Sequence, residues 1–319
     1  MGIYLITGGA GFIGSHLADA LLADGHEVRV LDDLSTGRIE NVDPRCSFIR
    51  ADVTNETAVR TAMAGVSGCF HLAAIASVER GNEDWLGTHR VNQTATLIVL
   101  DAARACGGIP VVYASSAAVY GDIGQVSARE EMHPMPQTAY GADKRGGELH
   151  GYVGYNVHKV PNLGLRFFNV YGPRQDPLSP YSGVISIFAR LAATGGSILV
   201  HGDGSQTRDF VYVSDVAAHM IAAMRHLQDR GGVAVVNVCT GRGTSILSLA
   251  RSMLAARGIS VGAIVHGPVR AGDIRHSVGD PAAARALFGL SADVTLEEGL
   301  AKTLASFVSA ESPSALAGL

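Results

Sequence analysis

Lysine is scarce in this chain: three residues, Lys144, Lys159 and Lys302, among 25 basic ones in a total of 319. Acidic residues number 29, so the net charge is only −4, and no stretch gathers arginine and lysine as a nucleic-acid or anionic-membrane surface requires. Neither a nucleic-acid partner nor insertion into a membrane is expected. Cysteine is equally sparse. Cys46, Cys69, Cys106 and Cys239 lack metal-ligand spacing and read as small apolar residues of a reduced, cytoplasmic protein, with no metal site expected. No apolar run is long enough to cross a bilayer, and the first of them, Ile3 to Thr7, is too short even for a signal peptide.

Glycine, by contrast, is abundant where it matters. The strand-like Ile3–Thr7 runs into Gly8-Gly9-Ala10-Gly11-Phe12-Ile13-Gly14 and then into a helical pattern beginning near Phe12. Glycines here allow a tight turn, a close approach of backbone to pyrophosphate and close packing of helix on strand, while the helix N-terminus offers free N–H groups to phosphate. A second strand, Glu27 to Leu31, ends in Asp32, 21 residues beyond Gly11. An acid at that point accepts hydrogen bonds from adenosine ribose hydroxyls and repels a 2′-phosphate, so the pattern calls for NAD rather than NADP. The glycine spacing alone is weak; strand, helix, second strand and acid together are specific.

Strand signals recur at about 3–7, 27–32, 46–51, 69–72, 110–115 and 162–167, mostly separated by amphipathic helices, one of them long, at about 82–106. This alternation predicts an α/β fold, a doubly wound parallel sheet of Rossmann type, with ligands at the carboxyl ends of the strands. After Phe168 the rhythm breaks into Tyr171-Gly172-Pro173 and a proline-rich loop, then a helix at about 184–195. A smaller, interleaved C-terminal substrate-binding lobe is expected. The NAD-binding domain is placed at 1–169 plus a return at about 205–238, and the second lobe at 170–204 and 239–319. The tail from Ser309 to Leu319 is expected to fray.

Tyr140 and Lys144 lie one turn apart on one face of an expected helix at about 138–158. A free phenol titrates near 10; a neighbouring ammonium and a positively charged nicotinamide ring together lower it, which makes tyrosine a base. Ser116, ending the fifth strand, adds a hydroxyl that orients substrate and shares the proton. Tyr155 and Lys159 repeat the spacing, but Val160-Pro161 must end the helix there, so this pair reads as a decoy.

Thr7 to His16, His71-Leu72-Ala73-Ala74, Ser115 to Gly121, Tyr140/Lys144 and Arg166 to Pro173 together resemble the extended short-chain dehydrogenase/reductases across essentially the whole chain. Asp32 to Gly37, Asn169, Gly204 to Asp215 and Arg270 to Asp273 most resemble the nucleotide-sugar 4-epimerases of that family. The resemblance implies that Ser116, Tyr140 and Lys144 are catalytic. It implies that Gly8, Gly11, Phe12, Ile13, Gly14, Asp32, Asp52, Val53, Ala73, Asn92 and Lys144 hold a tightly bound NAD that is regenerated each cycle. It further implies that Ser115, Asn169, Arg208, Arg270, Asp273 and Ser277 hold the UDP-sugar. Two arginines suit a diphosphate on physical grounds too, although Arg208 beside Asp209 also reads as a local ion pair.

Family dehydratases and decarboxylases carry acids just beyond the active-site hydroxyl, where this chain has Ala117 and Ala118, which favours epimerisation. Ser277 matches a position where a bulky tyrosine excludes N-acetyl groups, so the expected pair is UDP-N-acetylglucosamine and UDP-N-acetylgalactosamine. UDP-glucose or UDP-glucuronate 4-epimerisation are the alternatives, and a nonenzymatic NAD-sensing protein is the remote one. Relatives pair through the two long helices, so a homodimer is implied.

Overall fold

The computed structural model describes residues 1–177, 183–270 and 274–310. In the first half strands and helices alternate as β1 (Ile3–Thr7), α1 (Phe12–Ala23), β2 (Glu27–Asp32), β3 (Ser47–Arg50), α2 (Glu56–Met63) and β4 (Gly68–His71). Two short helices, α3 (Val78–Glu83) and α4 (Trp85–His89), then lead through a π-helical turn, Arg90–Thr94, into α5 (Ala95–Ala105). β5 (Val111–Ser116), α6 (Ala139–Asn156) and β6 (Asn162–Phe167) complete this half. All seven strands of the large sheet are parallel, in the order β3-β2-β1-β4-β5-β6-β10, where β10 is Val233–Val238. Strand order reverses between β1 and β4, which is where such a sheet opens a crevice for ligand.

The strands are mostly apolar because both faces are covered: every residue of β4 and of β6 is buried, and their polar members His71, Asn162 and Arg166 are hydrogen-bonded. On one face α1 inserts Leu17 and Leu21 against Ile6 and Val30; on the other, Val59 and Met63 of α2 and Val99 of α5 meet Leu5, Leu31 and Cys69. Each such fully buried aliphatic side chain contributes about 2 kcal/mol.

The long helix expected from residue 82 starts instead at Trp85, because the Asp84 carboxylate accepts the Gly87 N–H at 2.9 Å and begins a new helix. The π turn follows within it. Helix α6 ends at Asn156, two residues before the expected limit.

Beyond β6 the chain forms β7 (Asn169–Tyr171), α7 (Val184–Thr194), β8 (Ile198–His201), β9 (Thr207–Tyr212), α8 (Val213–Arg230) and β10, then β11 (Gly243–Ser245), α9 (Ile246–Ala255), β12 (Ile264–Gly267), β13 (His276–Ser277), α10 (Ala282–Phe288) and α11 (Leu296–Ala310). The return to the large sheet begins at Val213 rather than near 205: β9 pairs with β7, β11 and β13, and only α8 and β10 rejoin the first half. Helix α10 also packs on α8 and β10, although it lies inside the stretch assigned to the second lobe. That lobe has its own core, where Tyr171, Phe188, Ile198, Leu249 and Met253 are buried together. The expected fraying concerns a tail whose residues 311–319 lie outside the described ones. Among the described residues no helix is long and apolar enough to cross a membrane.

Candidate active site

The glycine loop is built by close approach. Gly8 has φ +74°, and a Cβ on it would lie 2.6 Å from the Ala73 nitrogen; a Cβ on Gly14 would lie 2.3 Å from the Gly8 carbonyl oxygen. No larger residue fits either position without moving backbone. Gly11 is the N-cap of α1 and brings no side chain, so the first N–H groups of the helix stay directed at the crevice. Phe12 and Ile13 open the helix and lean on the second lobe's core. Behind the loop the buried His71 ring sits between Thr7 Oγ1, at 2.7 Å, and Thr96 Oγ1, at 3.1 Å. Burial, then the nearby Lys144, push its pKa down to about 3, so it is a neutral strut joining β1, β4 and α5.

Asp32, 7% exposed at the end of β2, accepts the Ala10 N–H at 3.0 Å and the Leu34 N–H at 2.8 Å. Burial raises its pKa and those two donors oppose the rise. A carboxylate has room for about four hydrogen bonds, which leaves acceptor capacity for two ribose hydroxyls. Asp52 is exposed beyond β3 and turns its carboxylate to the Thr54 N–H, while Val53 is core. Asn92, 1% exposed on the π turn, accepts the Ile75 N–H at 2.8 Å and donates to the Ile75 carbonyl at 3.1 Å. Its amide therefore clamps the loop after β4 that carries Ala73. The cradle, the uncapped helix end and the spare capacity of Asp32 fit a dinucleotide.

One strand away, Ser116 closes β5, and its hydroxyl lies near enough to the Tyr140 hydroxyl to favour the phenolate. Tyr140 and Lys144 stand one turn apart on α6, with Lys144 Nζ 5.7 Å from the phenol ring centre. Helix α6 sits this close to β5 because of its glycines: a Cβ on Gly141 would lie 2.6 Å from the Ala118 oxygen, and one on Gly151 2.6 Å from the Tyr113 hydroxyl. Lys144 is 5% exposed and donates to the Ala114 carbonyl at 2.9 Å. Burial lowers its pKa to about 8, with Asp143 pulling the other way. Tyr140 departs from expectation: burial raises its pKa, and the nearby Ser116 hydroxyl only partly offsets this. The chain's own residues thus keep the phenol protonated. In the second Tyr/Lys pair, Lys159 lies past the end of α6, exposed, donating to the Asn156 carbonyl.

Ser115 does not face this space. It is 2% exposed and donates to Glu148 Oε1 at 2.6 Å, because neighbouring residues of a strand point to opposite faces. This corrects its placing among substrate-binding groups. Asn169 opens β7 two residues beyond β6, and pairs in register with Phe210 of β9. Arg208 of β9 has Ser277 of β13 as its register neighbour, so Asn169, Arg208 and Ser277 share one small sheet. The Asp209 carboxylate is fully buried and taken up by Thr240, Gly241 and Gly279, so it is committed away from Arg208. Arg270 is exposed in the loop after β12, and Asp273 lies outside the described residues. Glu148 was missing from the expected set, although its place eight residues beyond Tyr140 puts it on the same helical face.

Comparison with known proteins shows the family. The model of the NAD dependent epimerase/dehydratase family matches residues 4–239. A UDP-glucose 4-epimerase of Mycolicibacterium smegmatis is 39% identical over 310 residues, covering 95% of this chain and 97% of the relative. Among solved structures, UDP-glucose 4-epimerase of Thermotoga maritima with UDP-glucose is 33% identical with a TM-score of 0.91, covering 97% of this chain and 99% of that one. A UDP-N-acetylglucosamine 4-epimerase of Methanobrevibacter ruminantium, in complex with UDP-N-acetylmuramic acid, is 32% identical with the same TM-score and coverage.

Proposed function

The chain belongs to the NAD-dependent epimerase/dehydratase family, and we propose that it interconverts UDP-N-acetylglucosamine and UDP-N-acetylgalactosamine by inverting C4′. It is an NAD-dependent UDP-sugar 4-epimerase. The observation that carries the reaction class is a buried Lys144 whose Nζ lies 5.7 Å from the Tyr140 ring, with Ser116 closing the neighbouring strand and Ala117 and Ala118 where an eliminating acid would stand.

In this reading Ser116 orients the 4′-hydroxyl toward Tyr140, which removes its proton and later returns it. When bound, NAD supplies the hydride acceptor and donor at C4′ and a positive ring that favours the tyrosinate. Lys144, titrating near neutrality, holds or releases a proton at Nζ beside the phenol and binds the Ala114 carbonyl, which keeps it in place. Burial of Lys144 shields its ammonium from competing water. Because Ala117 and Ala118 provide no eliminating acid beyond Ser116, a keto sugar formed here would turn over in its pocket and take the hydride back on its other face. Asn169, Arg208, Arg270 and Asp273 would hold the UDP portion.

N-acetyl preference rests on Ser277, half-buried and in register with Arg208, which leaves room where tyrosine would not. A homodimer is also part of the proposal. Leu149, Tyr152, Val153 and Val157 form an exposed stripe along α6, and Leu97 of the neighbouring α5 is 44% exposed. Such a stripe suits a second copy of the same two helices.

Proton NMR of the purified protein with UDP-N-acetylglucosamine and no added NAD tests this. The galacto anomeric signal should appear. Conversion of UDP-glucose alone would discard the Ser277 argument and keep the reaction, while inactivity on both sugars in NAD-loaded protein would overturn the reaction class.

A further inference from the structure

Glu148 has no part in the chemistry above, yet its carboxylate is fully engaged. It is 0% exposed on α6, one turn beyond Lys144 and two beyond Tyr140, so all three share a face. Its Oε1 accepts from Ser115 Oγ at 2.6 Å and Arg166 Nε at 2.8 Å, and its Oε2 from Arg166 Nη2 at 2.8 Å and Arg145 Nη1 at 2.9 Å. Four donors fill a carboxylate. Ser115 and Arg166 are register partners on β5 and β6, so the carboxylate spans two adjacent strand ends. Arg166 is itself fixed on its far side, its guanidinium 4.6 Å from the centre of the Tyr120 ring, whose hydroxyl donates to Asn237.

We propose that Glu148 is a positioning residue: it clamps the face of α6 that carries Tyr140 and Lys144 to Ser115, and so sets the distance at which the adjoining Ser116 meets Tyr140. The pair Ser115-Ser116 then divides its labour, one hydroxyl holding the strand end and the other holding substrate. This rests on the assignment of Tyr140 and Lys144 made above.

The test is steady-state kinetics of NAD-loaded Glu148→Gln and Ser115→Ala, normalised to bound NAD, beside Tyr140→Phe. A displacement of the reacting groups by about 1 Å lowers turnover roughly a hundredfold. Glu148→Gln should therefore lose kcat by about tenfold to a hundredfold with KM for the UDP-sugar within about twofold, because none of the hydrogen-bond partners of Glu148 lies on the strands carrying Arg208 and Ser277. Should Glu148→Gln fail to fold, Ser115→Ala decides: kcat falls several-fold at constant KM, and Ser115→Thr, which keeps the hydroxyl, restores it. A purely stabilising role would lower thermal stability and leave kcat per NAD-loaded site unchanged in every folded variant, and that result overturns the proposal. Normal turnover by Tyr140→Phe would instead overturn the catalytic assignment.

Discussion

Replacing Gly8 with alanine should strip the protein of NAD. The backbone there has φ +74°, which costs alanine about 1 kcal/mol. The added Cβ would also lie 2.6 Å from the Ala73 nitrogen and 2.8 Å from its Cα, whereas ordinary contact begins at 3.4 Å. Neither atom belongs to a flexible side chain, so the ends of β1 and β4 must part by about 1 Å, at about 2 kcal/mol for an overpacked site. Gly25 is the control: its φ is +79°, with nothing within 4 Å of its Cβ position. Gly25→Ala thus carries the backbone cost alone. In a chain of this size each kcal/mol shifts Tm by about 2 °C, giving drops of about 6 °C for Gly8→Ala and about 2 °C for Gly25→Ala. The assay is nicotinamide absorbance released on denaturation, beside thermal unfolding. Gly25→Ala should keep the wild-type NAD content and Gly8→Ala lose most of it. Equal NAD contents with equal Tm values would refute the idea that contact with Ala73, rather than local strain, makes Gly8 necessary.

Tyr140→Phe should lower kcat by about 10²- to 10⁴-fold while NAD content holds, checked by turnover per bound cofactor. Lys144→Met should also be inactive yet more stable without NAD. Its folded pKa of about 8, below the ordinary 10.5, marks a disfavoured charge worth about 3 kcal/mol, of which the Ala114 hydrogen bond returns about 1. Because the unfolded lysine holds its proton up to the higher value, wild-type stability rises between about pH 8 and 10.5 and the advantage of methionine fades there; denaturant melts showing a less stable Lys144→Met at neutral pH would contradict this. Ser277→Tyr should cut turnover of N-acetylated sugars by about 10- to 200-fold and spare UDP-glucose, and equal losses on both would remove the gate. Leu149→Glu with Val153→Glu places two charges in the exposed α6 stripe, so sedimentation should report a dimer for the wild type and a monomer for the variant; a monomeric wild type would refute the proposed dimer, and a variant of unchanged dimer mass would refute this interface.

Much of the first half was legible because its signals are local. A parallel strand covered on both faces is mostly apolar, and the five-residue Ile3–Thr7 ends within a residue of where the apolar pattern ends, while Asn162–Phe167 keeps its pattern with Asn162 and Arg166 both hydrogen-bonded. The second half is held by pairings the pattern does not encode. Thr207–Tyr212 is as apolar as a large-sheet strand, yet it pairs with β7, β11 and β13, and nothing in its own composition says which sheet will take it. The π turn was hidden for a related reason: Asn92 reads as one more helical residue until Ile75, 17 positions earlier, is seen to bind both ends of its amide.

The misplacing of Ser115 is more instructive, because the signal was present. Two consecutive strand residues cannot both face the crevice, so assigning Ser116 to substrate already sends Ser115 toward the covering helix. A buried hydroxyl there needs an acceptor. On the face of α6 fixed by Tyr140 and Lys144, the next position is Glu148, an acid that could not be buried without cations, and Arg166 on the next strand supplies one. Alternation in the strand, periodicity in the helix and the cost of an unpaired charge therefore lead from the catalytic pair to its support using residue order alone. Asking what each buried polar group must bind reaches past the motif to the residues that hold it still.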